Sequence, residues 1–181
     1  MIKKALFLDR DGVINVRIEQ DYVRNWAEFV FLPRTAEAIK RLNKHFDYCF
    51  VVTNQQGIAK KLMLESDLID IHQKMCNSLS KESARIDAIY YCKEHQKDNP
   101  SCRKPNTGMA EQAAIDFSDF DFAQSVMVGD SLSDMEFGKR MGMRTIFING
   151  KPEYSADELA KYDNYIDLRF DSLIQYALSI S

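Results

Sequence analysis

Five short apolar runs punctuate the 181-residue chain: Ala5–Leu8, Tyr48–Val52, Ala88–Tyr91, Ser125–Val128 and Thr145–Ile148. Each is nearly continuous in hydrophobicity and rich in β-branched or aromatic residues, which predicts strands covered on both faces. Between them, apolar residues recur at helical spacing. Ala36, Ile39, Leu42 and Phe46 form one stripe, Leu68, Ile71, Met75 and Leu79 a second, and Met109, Ala113 and Phe117 a third. Pro33, just ahead of the first stripe, fits a helix start. Strand alternating with helix predicts an α/β fold with a mostly parallel sheet between two helical layers, as one domain over residues 1–181. No repeat, low-complexity tract or linker interrupts it. The one long irregular segment, at about 92–107, reads "CKEHQKDNPSCRKPNT". Connections of that length inside a compact domain are usually functional or mobile.

Composition narrows the class. The chain is 45% hydrophobic and 28% charged, with a net charge of −3. No global basic field therefore points to a nucleic-acid or anionic-membrane partner. Lys3 and Lys4 precede an apolar run as in a signal peptide, but that run ends at Leu8 on charged residues. No stretch approaches the roughly 18 apolar residues of a membrane span. The expected location is the cytoplasm, where all four cysteines would be reduced. Cys49 and Cys76 sit in apolar patterns and are expected in the core.

In open α/β sheets, ligand sites form beyond the carboxyl ends of the strands. The residues that follow the predicted strands are Asp9-Arg10-Asp11-Gly12, Thr53-Asn54-Gln55, Cys92 with its loop, and Gly129-Asp130-Ser131. Asp9, Asp11 and Asp130 would thus converge on one sheet edge. Carboxylates so close repel unless a cation sits among them. An all-oxygen set suits a hard cation such as Mg²⁺. With Thr53, Asn54 and Lys104 nearby, the chemistry expected is phosphoryl transfer to a carboxylate.

Four motifs, "DRDGVIN", "TNQQG", "RKP" and "GDSLSD", occur in the order and spacing of haloacid dehalogenase (HAD)-type phosphatases. The chain most resembles the small capless branch that holds heptose-bisphosphate and histidinol-phosphate phosphatases, from Phe7 to about Pro152. The resemblance implies a Rossmann-like (HAD-like) three-layer sandwich with no large cap domain. It implies an Mg²⁺-dependent phosphomonoester hydrolase working through an aspartyl-phosphate on a small-molecule substrate. Asp9 resembles the nucleophile and a metal ligand. Asp11 resembles the general acid and base, binding metal through its backbone carbonyl, and Asp130 the third metal ligand. Thr53 and Asn54 resemble phosphate and substrate binders, Lys104 the lysine that steadies nucleophile and phosphate, and Arg103 a substrate contact. "DYV" at 21–23, "GIAK" at 57–60 and "GM" at 108–109 resemble the heptose branch. A heptose 1,7-bisphosphate, cleaved at C7, is the expected substrate, with histidinol phosphate or another sugar phosphate as the alternative. The segment Arg17–Gln20 is longer than that branch's pattern, and Ser131 stands where a lysine is common.

Several residues carry competing readings. Asp9 and Asp11 could form an ordinary acidic turn before Gly12, Thr53-Asn54 plain strand-end chemistry, and Arg103-Lys104-Pro105 a solvated loop. A phospho-acceptor receiver module is the rival from another class, but it would carry its acceptor on a middle strand. Asp134 completes a Ser-x-x-Asp capping box with Ser131, or supports the metal. Arg10 either binds phosphate or braces the loop. The resembled branch often carries zinc in the 92–107 loop. Here Cys92, His95 and Cys102 offer three ligands, and Glu94 and Pro100 stand where others belong. A loop without zinc is the favoured expectation. A monomer is expected, since no apolar stripe is left to spare.

Overall fold

The computed structural model describes residues 2–149 and 154–180, so the end of the resembled stretch at 150–153 lies outside the described residues. Six parallel strands form one sheet in the order β3-β2-β1-β4-β5-β6. They are β1 (Ala5–Leu8), β2 (Tyr48–Asn54), β3 (Ala88–Cys92), β4 (Val126–Gly129), β5 (Arg144–Ile148) and β6 (Leu168–Phe170). The helices are α1 (Thr35–Leu42), α2 (Glu65–Lys81), α3 (Gly108–Asp116), α4 (Leu132–Arg140), α5 (Ala156–Lys161) and α6 (Leu173–Ser179).

Alternation along the strands separates two cores. Leu6 and Leu8 of β1 join Cys49 and Val51 of β2 and Val128 of β4 beneath α1, α2 and α6. Ala5 and Phe7 join Phe50, Val52 and Met127 on the other face with Met109 and Ala113 of α3 and Phe137 of α4. That face is strongly aromatic: Phe50 lies within 6 Å of the rings of Phe7, Tyr48, Phe117 and Phe120. Burial on both faces is why these strands read as unbroken apolar runs.

β1 is central, with Leu8 in register with Val51 on one side and Val128 on the other. After β3 the chain crosses back past β1 to add β4, so strand order reverses between β1 and β4. Ligands bind at such a switch point in open parallel sheets, and Asp9 and Asp130 lie there. β6 escaped the sequence reading because it has three residues, and Leu168 and Arg169 are exposed at the sheet edge. No large cap domain is present among the described residues.

Candidate active site

Asp9 follows the last residue of β1, and its N–H still donates to the Val128 carbonyl at 2.9 Å. That bond carries the strand geometry one residue further and leaves the carboxylate buried at the sheet edge. Lys104 reaches it from the loop after β3, with Nζ 2.9 Å from Asp9 Oδ1. The same ammonium lies 2.7 Å from Asp134 Oδ1 and donates to the Val52 carbonyl at 2.6 Å. Burial alone would neutralise Lys104, but the Asp134 and Asp9 charges raise its pKa and keep it protonated. Asp9 is pushed up to about 6 by burial and by Asp134, against the pull of Lys104 and Arg17. Burial and the Asp9 charge likewise raise Asp130 well above the ordinary carboxylate value.

Asn54 sets the height of the Lys104 loop. Its amide accepts from Lys104 N at 3.0 Å and donates to Lys104 O at 3.2 Å. Thr53 is buried beside it, and its Oγ1 accepts from Gln55 Nε2 at 2.8 Å. Gln55 also donates to Asp11 Oδ2 at 2.8 Å. Arg10 Nη2 and Asn15 Nδ2 each donate to Asp11 Oδ1 at 2.9 Å. Burial would raise Asp11, but the Arg10 charge and these three donors hold its pKa below the usual carboxylate value. Adjacent acids are thus driven apart, Asp9 up and Asp11 down. Such separation marks sites that divide roles between two carboxylates.

Gly12 has φ +96° and sits against Asp130, where a Cβ would collide with the carboxylate. Glycine is what lets the turn after Asp11 pass beneath the β4 acid. Asp134 caps α4 through Oδ2, which accepts from Ser131 N at 3.0 Å, and faces Lys104 through Oδ1.

The carboxylates that gather are those of Asp9, Asp130 and Asp134, each with an oxygen within 4.8 Å of the others. An all-oxygen, buried set of this kind fits a hard divalent cation. The Asp11 carboxylate lies outside this group, held by Arg10, Asn15 and Gln55. Over the cluster opens a pocket of about 450 Å³ that Asp9, Asp11, Thr53, Asn54, Arg103 and Lys104 help to line. Arg103 Nη2 donates to Gln96 Oε1 at 3.3 Å, while its buried Nη1 has no hydrogen-bond partner among the described residues.

Two expectations are corrected. Arg10 is fully buried rather than placed to bind phosphate: Nη1 meets His72 Nε2 at 3.1 Å and Nη2 holds Asp11. Cys92 and Cys102 form a disulfide, so neither is a reduced thiol nor a zinc ligand. His95 Nδ1 instead accepts from Lys97 N at 3.3 Å. Cys49 is buried and free, as its pattern predicts.

Arg17, Asn15, Gln55 and His72 were not singled out from the sequence. Asn15 and Gln55 lie inside quoted motifs, yet their partners are 4 and 44 positions away. Arg17 and His72 had no signal beyond a long loop and a position on a helical stripe.

A buried carboxylate–lysine site at the switch point of a parallel sheet is the frame of a phosphate-handling hydrolase. Residues 101–175 match the family model described as HAD-hydrolase-like. The chain is 36% identical to D-glycero-alpha-D-manno-heptose-1,7-bisphosphate 7-phosphatase of Mycobacterium tuberculosis, over 97% of this chain and 90% of that one. It is 35% identical to the beta-heptose-1,7-bisphosphate 7-phosphatase of Haemophilus influenzae, over 92% and 95%. The crystal structure of the D,D-heptose 1,7-bisphosphate phosphatase from B. bronchiseptica, complexed with magnesium and phosphate, superposes with a TM-score of 0.86 at 30% identity, over 98% and 97% of the two chains. This chain belongs to the HAD-like phosphatases, in the family of these heptose-bisphosphate phosphatases.

Proposed function

We propose that the protein, a single catalytic domain over residues 1–181, hydrolyses the C7 phosphate of a D-glycero-D-manno-heptose 1,7-bisphosphate. The observation that carries the mechanism is the Lys104 bridge to Asp9 at the floor of the pocket. Asp9 attacks phosphorus in line with the departing sugar oxygen, forming an aspartyl-phosphate. Lys104 holds the attacking carboxylate, and Asn54 holds the loop that carries Lys104. The Thr53 hydroxyl, Asn54 and the unpartnered Arg103 Nη1 take the phosphate and the sugar. Asp11 protonates the leaving oxygen, then takes a proton from the water that cleaves the intermediate. Its three hydrogen bonds favour the ionised form required for that second step. An arriving phosphate dianion raises its pKa towards the protonated form needed first.

The side chains of Asp9 and Asp130 and the Asp11 carbonyl would hold Mg²⁺. When bound, it offsets the repulsion between the attacking carboxylate and the anionic phosphate. No helix among the described residues is long and apolar enough to cross a membrane. A multiply charged sugar bisphosphate does not cross a bilayer, so the proposed setting is the cytoplasm. The proposed form is a monomer without nucleic-acid or membrane partners.

The test is phosphate release, with Mg²⁺ and with EDTA, from both heptose 1,7-bisphosphate anomers, histidinol phosphate and a generic aryl phosphate. Expected is metal-dependent turnover selective for one heptose anomer and abolished in folded Asp9→Asn. A preference for histidinol phosphate would overturn the substrate, and activity in Asp9→Asn the mechanism.

A further inference from the structure

Arg17, in the loop after β1, leans over the carboxylate cluster with Nη1 3.3 Å from Asp130 Oδ2. Its side chain is 33% exposed, whereas that of Asp130 is 2% exposed. Asp130, Asp9, Asp134 and Asp11 all act on its charge. Lys104 already compensates Asp9 and Asp134. Among the described residues, Lys104 and Arg17 are cations that meet these acids, and Arg17 lies beside Asp130.

A divalent cation held by Asp9 and Asp130 needs the carboxylate that Arg17 now faces. Small hard cations demand a complete, short coordination shell. A guanidinium left beside one adds like-charge repulsion in a buried site. A neighbouring organic cation has to yield. Lys104 is poorly placed to do so, being buried and hydrogen-bonded to a strand carbonyl as well as to the acids. Arg17 is better placed to yield. It lies outside helices and strands, is partly exposed, and borders the pocket mouth with Gln20 and Tyr22.

We propose that Arg17 is a built-in competitor of the divalent cation at Asp130, displaced when the metal binds and thereby handed to the phosphate of the substrate. The proposal rests on the metal assignment made above. Its consequence is a linkage. Without metal the guanidinium is occupied by Asp130. With metal its planar donors face the pocket, where phosphate geometry suits them. Metal and phosphate then strengthen each other's binding through one side chain, and such coupling is reciprocal.

Calorimetric titration of Mg²⁺ into the metal-free protein, without substrate, tests the competition. Titration of inorganic phosphate in excess Mg²⁺ tests the hand-over. Arg17→Gln is expected to bind Mg²⁺ on the order of 5–10-fold more tightly and phosphate several-fold more weakly. Mg²⁺ affinity that is unchanged or weaker in Arg17→Gln would overturn the competition. Tighter Mg²⁺ with unchanged phosphate affinity would overturn the hand-over. Arg17→Lys keeps the charge without the fork and covers the case in which Arg17→Gln does not fold. It should bind phosphate more weakly than wild type, with a smaller gain for Mg²⁺; equal values for both ligands would overturn the proposal. Asp130→Asn separates the two readings. Wild-type binding lost in Asp130→Asn supports the metal assignment independently of Arg17, and no Mg²⁺ uptake by the wild type would overturn both.

Discussion

Arg10 shows how one charge can be buried beside the site. A guanidinium taken out of water is costly unless its donors are met. Here Asp11 takes one nitrogen and His72 of α2 takes another. His72 can accept from Arg10 only when Nε2 is unprotonated. Burial and the neighbouring guanidinium lower its pKa to about 3, against the opposing pull of Asp11, while Tyr91 packs alongside. In the unfolded chain the imidazole titrates near 6.5. Below that pH the unfolded state binds a proton that the native state refuses. Stability is therefore lost as pH falls from about 6.5 towards 3, by ~1.4 kcal/mol per pH unit from this group. His72→Gln keeps an acceptor for Arg10 but does not titrate. Urea unfolding at pH 7 and pH 5 should show the variant losing about 2 kcal/mol less than the wild type over that interval. Equal losses would mean that the buried imidazole is not the acid-sensitive group.

At the scale of elements, the site depends on how the 92–107 loop is tied down. β3 delivers Cys92, and the disulfide to Cys102 fastens the stretch just ahead of Arg103 and Lys104 to the strand. Asn54 at the end of β2 holds the same stretch from the other neighbouring strand. Closing a loop of this size constrains the unfolded chain by roughly 3 kcal/mol in the chain-entropy model. Cys102→Ser should lower the unfolding free energy by about 2–3 kcal/mol, read from urea midpoints against the oxidised wild type. No change would mean that the polar clamps alone hold the loop. Disulfides are rare in reducing compartments, so the proposed cytoplasmic setting makes the state of this bond worth following by thiol labelling of freshly lysed cells.

Over the whole molecule, one sheet with two cores carries the active edge. The aromatic core supports β1 and β2, whose ends deliver Asp9 and Thr53. Phe50 is wholly buried there, among five other rings. Phe50→Ala removes a large side chain that rigid neighbours cannot replace and should cost about 3–5 kcal/mol. Because both cores share the sheet, the loss should appear as an earlier midpoint of a single cooperative transition by fluorescence and circular dichroism together. Two separated transitions would show that the faces unfold independently.

The apolar runs determined by themselves that the chain forms strands buried on both faces, and the acids that follow those runs marked the edge where chemistry sits. Asp9, Thr53, Asn54 and Asp130 were legible because strand ends in a parallel sheet converge on one edge, and Lys104 was legible from its "RKP" motif. α4 was foreshadowed by its Ser131–Asp134 capping box, whereas β6 with three residues and α6 with seven are too short to carry a long periodic signal. Tertiary structure alone decided which charges pair. Arg10 turns inward to His72, Gln55 reaches back to Asp11, Arg17 leans onto Asp130, and Cys92 bonds to Cys102 instead of standing as a thiol. The physical reason is range. Hydrophobic periodicity is a local property that each segment carries along its own length. A buried charge finds its partner through space, across separations of up to 113 positions between Arg17 and Asp130, and only the folded sheet sets that distance.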